Sequence, residues 1–158
     1  VLSVKILQTS LRGTINRLNR LALAYKKPRA LYVQWGIKTK KWITDNFTAE
    51  GALLQEGKWA ALSPITIKVR KAKSRRRIVI LRDTGKLKSS FKTRMLSNNR
   101  GIVIGTRVKY GRYHEFGSPK KHLPKRRILP RKKDKTFMDR LNKATARYIR
   151  QIVRKAGG

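Results

Sequence analysis

Apolar residues recur through the first part of the chain at steps of three and four. Leu7, Leu11, Ile15, Leu18, Leu21, Ala22 and Tyr25 fall on one face of a helix between Leu2 and Tyr25, with most Lys and Arg off that face. Lys27-Pro28 breaks the pattern, because proline disfavours helical geometry in the residue before it while fitting the first turn of a new helix. A second helix follows, carrying Leu31, Trp35, Trp42, Ile43 and Phe47. Thr48 to Lys58, with Gly51 and Gly57 and most of the local acids, reads as a loop. Ile65, Ile67 and Val69 then alternate with Thr66 and Lys68, the period of a strand with one buried face. Leu87, Phe91, Thr93 and Met95 predict a further strand, residues 97–101 supply turn chemistry, and Ile102 to Ile104 return as the second arm of an antiparallel hairpin. A last helix is predicted from a capping box of Thr136 and Asp139, with Phe137, Leu141, Ala144, Tyr148 and Ile152 on one stripe. The order predicts an α+β fold in which amphipathic helices cover a small antiparallel sheet. One domain is expected over 1–158: helices in 1–48, a sheet region in 59–117, an arm in 118–135 and a helix in 136–156.

Charge changes this picture in two segments. Arg70 to Arg77 holds six basic residues (Arg70, Lys71, Lys73, Arg75, Arg76 and Arg77) and no acid, and reads as a flexible loop facing solvent or a polyanion. Residues 118–135 hold nine Lys or Arg (Lys120, Lys121, Lys125, Arg126, Arg127, Arg131, Lys132, Lys133 and Lys135) against Asp134 alone, interspersed with Pro119, Pro124 and Pro130. This reads as an extended arm outside the core, disordered in the free subunit. Over the whole chain 42 Lys and Arg against seven Asp and Glu give a net charge of +35, so the partner is expected to be nucleic acid, an acidic protein surface, or both.

Candidate chemistry is sparse. There is no cysteine, which excludes disulfides and thiolate zinc sites. His114-Glu115 begins like a zinc-protease helix, but Ser118 stands where the second histidine belongs. Gly57-Lys58 and Gly85-Lys86 are each followed by Trp59 or Leu87 where a P-loop needs a hydroxyl. The seven carboxylates are scattered, and no serine sits in a nucleophile elbow. Neither a catalytic residue, a metal site nor a cofactor is expected. No apolar run reaches the length of a membrane span, so the protein reads as soluble. Aromatic residues among basic ones, as in Lys109-Tyr110-Gly111-Arg112-Tyr113, read as core plugs rather than base-stacking platforms, and Trp35, Trp42 and Trp59 as core or interface anchors.

Three signals in order give the chain a resemblance. Gly57 to Thr66 is similar to a Gly-x-Trp-x-x-Leu-Ser-Pro-x-Thr pattern, through Trp59, Leu62 and Pro64. Ile80 to Ser90 is similar to Leu-x-x-Thr-Gly-x-Leu-x-x-Ser, through Thr84, Gly85 and Leu87. Ile104-Gly105, then Tyr110 to Gly117 with Tyr110, His114, Phe116 and Gly117, then Pro124-Lys125-Arg126, complete the set. Together they resemble the phage virion morphogenesis family, a tail-completion family of Mu-like phages related to head-tail connector and tail-terminator proteins. Gly111 stands where that family has Ala and Glu115 where it has Gln.

The resemblance implies a non-enzymatic virion protein, assembled in the host cytoplasm and placed at the head-tail junction. It implies a homo-oligomeric ring, six-fold by preference and otherwise twelve-fold, in contact with neck, portal-adaptor, tail-tube or sheath proteins. The motif residues are expected to shape loops that neighbours grip, and the two basic segments to reach acidic faces of those neighbours, with a looser contact to packaged DNA. The alternative is a basic RNA- or DNA-binding protein of ribosomal type, which accounts for the charge but not for the ordered signals. A nuclease would need a carboxylate cluster that these acids supply poorly.

Overall fold

The computed structural model describes residues 13–23, 28–73, 78–97 and 101–157. Residues 13–23 are helical (α1), as the periodicity predicts, and the remainder of the first predicted helix lies outside the described residues. α2 spans Arg29–Thr48 and begins at Pro28, whose carbonyl accepts the first helical bond from Tyr32 at 3.1 Å. β1 (Lys92–Met95) and β2 (Ile102–Gly105) form the antiparallel hairpin, in the register Lys92 to Gly105 and Met95 to Ile102. Asn98 to Arg100 of its turn are not among the described residues. α6, Lys135–Gly157, closes the chain. The α+β class holds: among the described residues most are helical and two strands form a sheet.

α2 is the element around which the rest packs, meeting α6 on one side and the hairpin on another. Trp42, Ile43 and Phe47 are fully buried, and Leu54, Trp59, Leu81, Leu87, Phe91 and Ile128 close around them. The α2–α6 seam is pinned by side chains: Trp35 Nε1 donates to Thr145 Oγ1 at 3.0 Å, Trp42 Nε1 to Thr136 Oγ1 at 3.0 Å, and Arg140 Nη1 to Asp45 Oδ2 at 2.7 Å. Against the hairpin the approach is closer. The Ile102 side chain lies directly over Gly36, where a Cβ would make its end turn aside.

Four expectations are corrected. The stretch holding Ile65, Ile67 and Val69 is a helix, α3 (Pro64–Ala72), not a strand. Ser63 accepts from Thr66 N at 3.3 Å and Pro64 fills the first turn, and this start signal overrides a three-residue alternation. None of its residues is buried, and Ile65 is 76% exposed. Leu87 sits in a short helix, α4 (Lys86–Ser89), that follows Gly85 with φ of 77°, so the strand begins only at Lys92. Thr136 does not open α6 as a cap. It lies inside the helix, and its hydroxyl takes the Trp42 indole and donates to Leu53 O at 3.1 Å.

The largest correction concerns the arm. Residues 118–135 fold into the body: Ser118 and Leu123 bridge around a 3-10 turn at Pro119–Lys121, and Arg126, Arg127, Ile128 and Asp134 are all buried. Nine cations suggested a solvated arm because charge density was weighed without partners. Arg127 forks onto Asp134 with 2.8 Å and 2.6 Å bonds, and its Nε reaches Glu56 at 3.0 Å. Asp134 also accepts the amides of Gln55 (2.9 Å) and Arg131 (2.7 Å). One fully satisfied carboxylate thereby folds the segment back against the loop after α2.

Candidate functional site

The segments that carry the ordered sequence signals converge on one side of the molecule, around an open cleft of about 620 Å³. Leu62, Ser63 and Thr66 come from the start of α3, Thr84, Gly85 and Leu87 from the turn into α4, and Tyr110 and His114 from α5 (Gly111–Phe116). Leu123, Pro124 and Arg126 complete the lining.

Each wall is fixed by a local device. Thr84 Oγ1 accepts the amide of Lys86 at 3.3 Å, and Gly85 supplies the left-handed turn that starts α4. Arg70 ties the end of α3 to the opposite wall, donating to Val79 O at 2.7 Å and standing 3.8 Å from Asp83. Arg126 donates to the carbonyls of Ala60 and Ala61 at 2.9 and 2.8 Å, which stitches the former arm to the segment entering α3. Gly117, with φ of 80°, ends α5 where a Cβ would come 3.2 Å from Lys125 N, so the end of α5 and the Pro124-Lys125 segment run in direct backbone contact.

The other motif residues hold the scaffold or project from it. Trp59 is buried, stands edge-on to Phe47 with ring centroids 5.3 Å apart, and donates to Arg127 O at 2.7 Å. Pro64 is helix-starting. Gly105 ends β2 with open space where a Cβ would be. Phe116 is 71% exposed, beside a groove of about 360 Å³ that includes Phe91, Val108, Ile128 and Leu129.

The basic residues proposed from sequence as partner contacts divide into three groups. Lys71, Lys73, Lys120, Lys121, Lys125, Arg131, Lys132 and Lys133 are exposed, Lys121 over the Tyr113 ring at 4.1 Å and Lys133 paired with Glu56 at 2.8 Å. Arg70, Arg126 and Arg127 are instead bound internally, because each guanidinium meets carbonyls or carboxylates of neighbouring segments. Arg75, Arg76 and Arg77 lie outside the described residues.

His114 is held below its ordinary 6.5, first by burial and then by the Arg126 charge, so its ring is neutral near pH 7. The Ser63 hydroxyl is engaged with Thr66 in the helix cap, at 2.9 Å from Thr66 Oγ1. Among the described residues no group of three or more His, Asp or Glu could hold a metal ion. Glu115, one residue from His114, is buried and works as a clasp: Oε2 accepts the amides of Ile128 at 2.6 Å and Leu129 at 3.0 Å.

That geometry makes a sharp expectation. Glu115→Gln keeps an acceptor oxygen for the two amides and should shift stability by less than about 1 kcal/mol, whereas Glu115→Ala strands both and should cost about 1–3 kcal/mol in urea denaturation. Equal losses in the two variants would show that charge, not the clasp, matters.

The ionised pairs also set an acid limit. Lys133 and then Arg127 hold Glu56 down from 4.5 to about 2. Burial opposes ionisation of Asp134, but the Arg127 bonds and the two backbone amides outweigh it and hold the group below its ordinary 3.8. Folded values below unfolded ones give stability that is complete above the unfolded range and lost as pH falls through the folded values. Wild-type urea midpoints should therefore fall steadily from about pH 4.5 to about pH 2. A midpoint independent of pH over that window would contradict the pairing.

A family model described as the phage virion morphogenesis family matches residues 9–155, nearly the whole chain. No curated protein and no solved structure matches the chain significantly.

Proposed function

The chain belongs to the phage virion morphogenesis family, which makes it a structural component of a bacteriophage particle, and on that premise we propose a non-enzymatic subunit of the neck or tail-completion machinery that closes into a ring at the head-tail junction. Six-fold closure is the preferred order, with twelve-fold as the other. The observation that carries the reading is the exposure of large apolar side chains on the motif face. Phe116 projects at 71% exposure, and Ile65 stands at 76% on α3. A neighbouring subunit that covers such residues takes their apolar surface out of water, and a contact that repeats by rotation joins two different faces of the subunit. Phe116 itself lines an apolar groove with Phe91, Val108, Ile128 and Leu129, so projection and groove form one continuous apolar patch.

The exposed cations Lys120, Lys125, Arg131 and Lys132 suit acidic faces of adjacent neck, portal-adaptor, tail-tube or sheath subunits. Arg126 and Arg127 are not part of that surface, being bound within the fold. With a net charge of +35, subunits repel one another over about 10 Å at 0.1 M salt, so self-assembly should strengthen as salt rises. Among the described residues no helix is long and apolar enough to cross a membrane.

Phe116→Ser tests the interface. In sedimentation velocity at high salt the wild type should run as a closed oligomer and the variant as a monomer with an unchanged circular dichroism spectrum. Retention of the wild-type oligomer by Phe116→Ser and by Ile65→Ser would remove this face from the assembly.

A further inference from the structure

α6 carries two stripes, and only one of them serves the core. Its apolar stripe packs on α2. Along one edge of that stripe Arg140, Lys143, Arg147, Arg150 and Arg154 follow one another at steps of three, four, three and four. That spacing puts all five cations in one narrow sector of the helix, over an axial length of about 21 Å. The sector contains no apolar or aromatic residue, and Asp139 is the only acid in the helix. Lys143, Arg147, Arg150 and Arg154 are exposed.

α2 widens this row into a track. Lys38 and Lys41 face Arg140, Lys143 and Arg147 across a shallow groove of about 180 Å³ between the two helices. Asp45 lies at one end, paired with Arg140 at 2.7 Å and Lys41 at 3.6 Å, and holds those two cations in place. No ion pair is made by Lys38, Lys143 or Arg147 among the described residues.

We propose that this α2–α6 track binds the phosphate backbone of double-stranded DNA. A protein partner is the poorer fit, because the centre of a protein interface is depleted in charge and anchored by large apolar or aromatic side chains, and the small, buried Ala144 is the one apolar residue lining this groove. A single strand is also the poorer fit, because there is no ring on which bases could stack. What remains is a regular line of like charges a few ångströms apart, which matches a chain of phosphates and reads no sequence. The phosphate inference rests on the charge geometry alone, and the choice of DNA over RNA rests on the virion reading above. Ring closure is not required for it. The track differs from the basic segments singled out in the sequence and leaves those free for protein contacts.

The test uses the full chain and a fluorescein-labelled duplex DNA, with affinity measured by anisotropy over a range of salt. The stripe variant is Lys143→Gln/Arg147→Gln/Arg150→Gln. The control variant, Lys120→Gln/Lys125→Gln/Lys132→Gln, removes the same charge elsewhere. Loss of three phosphate contacts should weaken binding at least about tenfold and flatten the slope of log K against log salt by about 2.7. The control should change affinity less than about threefold, and Arg147→Lys/Arg150→Lys should bind like the wild type, since a phosphate track needs charge rather than a guanidinium fork. Equal losses in stripe and control variants, or an unchanged salt slope, would overturn the proposal. Duplex RNA bound more tightly than duplex DNA by the wild type would overturn the choice of DNA. If the triple variant is less folded by circular dichroism, Arg150→Gln and Arg154→Gln, both at exposed positions, are read singly by the same slope. Because binding is compared at whatever oligomeric state the wild type shows, failure of ring formation and failure of the track are separate results.

Discussion

Asp134→Ala is expected to cost about 3–5 kcal/mol of folding free energy, the cost of leaving a buried charge without its partner. The carboxylate is fully buried and serves three segments at once: the Arg127 guanidinium, the Gln55 amide after α2, and the Arg131 amide that leads into α6. Removing it takes the forked partner from a residue that is itself 2% exposed, leaving the guanidinium only Glu56 and the Leu129 carbonyl, and leaves two amides without their acceptor. With total stability of a domain this size at about 5–15 kcal/mol, the variant should be largely unfolded at a modest urea concentration or should express poorly. The control is Arg127→Met/Asp134→Leu, which removes both charges together and should recover a large part of the loss. A double variant as unstable as Asp134→Ala would mean that the backbone amides, not the ion pair, dominate.

Trp42→Ala should cost a similar amount, about 3–5 kcal/mol, by a different route. Its side chain is completely buried, meets Phe137 edge-on with centroids 5.8 Å apart, and hydrogen-bonds Thr136 at the start of α6. The substitution opens a cavity at the junction of α2 and α6 and leaves the Thr136 hydroxyl with only Leu53 O. Trp42→Phe retains most of the packing and should lose about 1–2 kcal/mol, so the difference between the two variants separates cavity from hydrogen bond. Thermal unfolding followed at the tryptophan-independent far-ultraviolet band measures both. A loss below about 1 kcal/mol for Trp42→Ala would show that α6 does not depend on this contact.

What could be read from sequence follows the range of the forces involved. α2 and α6 are legible because the 3.6-residue period is local and long, and the β1–β2 hairpin because its strands are joined by turn residues. In α3 the three positions Ile65, Ile67 and Val69 satisfy a period of two by chance, and Ser63-Pro64-x-Thr66 is the start signal that decides the helix. The segment around Arg126 and Arg127 was misread for a longer-range reason. Arg126 is held by the Ala60 and Ala61 carbonyls and Arg127 in part by Glu56, all more than sixty residues away, so the sequence around these arginines does little to distinguish them from solvated ones. The lone Asp134 among nine cations was the one available hint.

The cleft was legible only as an order of motifs. Composition and periodicity give no reason for Leu62, Thr84, Gly85, Tyr110, His114 and Pro124 to meet, and the fold brings them together. Trp59 and Gly117, from the same motifs, hold the walls instead. The cationic stripe of α6 has a period as clear as that of the apolar stripe beside it. It escaped notice because charged residues on a helix are ordinarily its solvated face, and only the facing Lys38 and Lys41 make it a groove.

The most direct test of the ring assignment is electron microscopy with light scattering on the purified full chain, at low and high salt, with and without duplex DNA. Closed rings of one fixed subunit number at high salt and without DNA are the expected result. A monomer at every salt concentration that gathers into particles only on nucleic acid would contradict it.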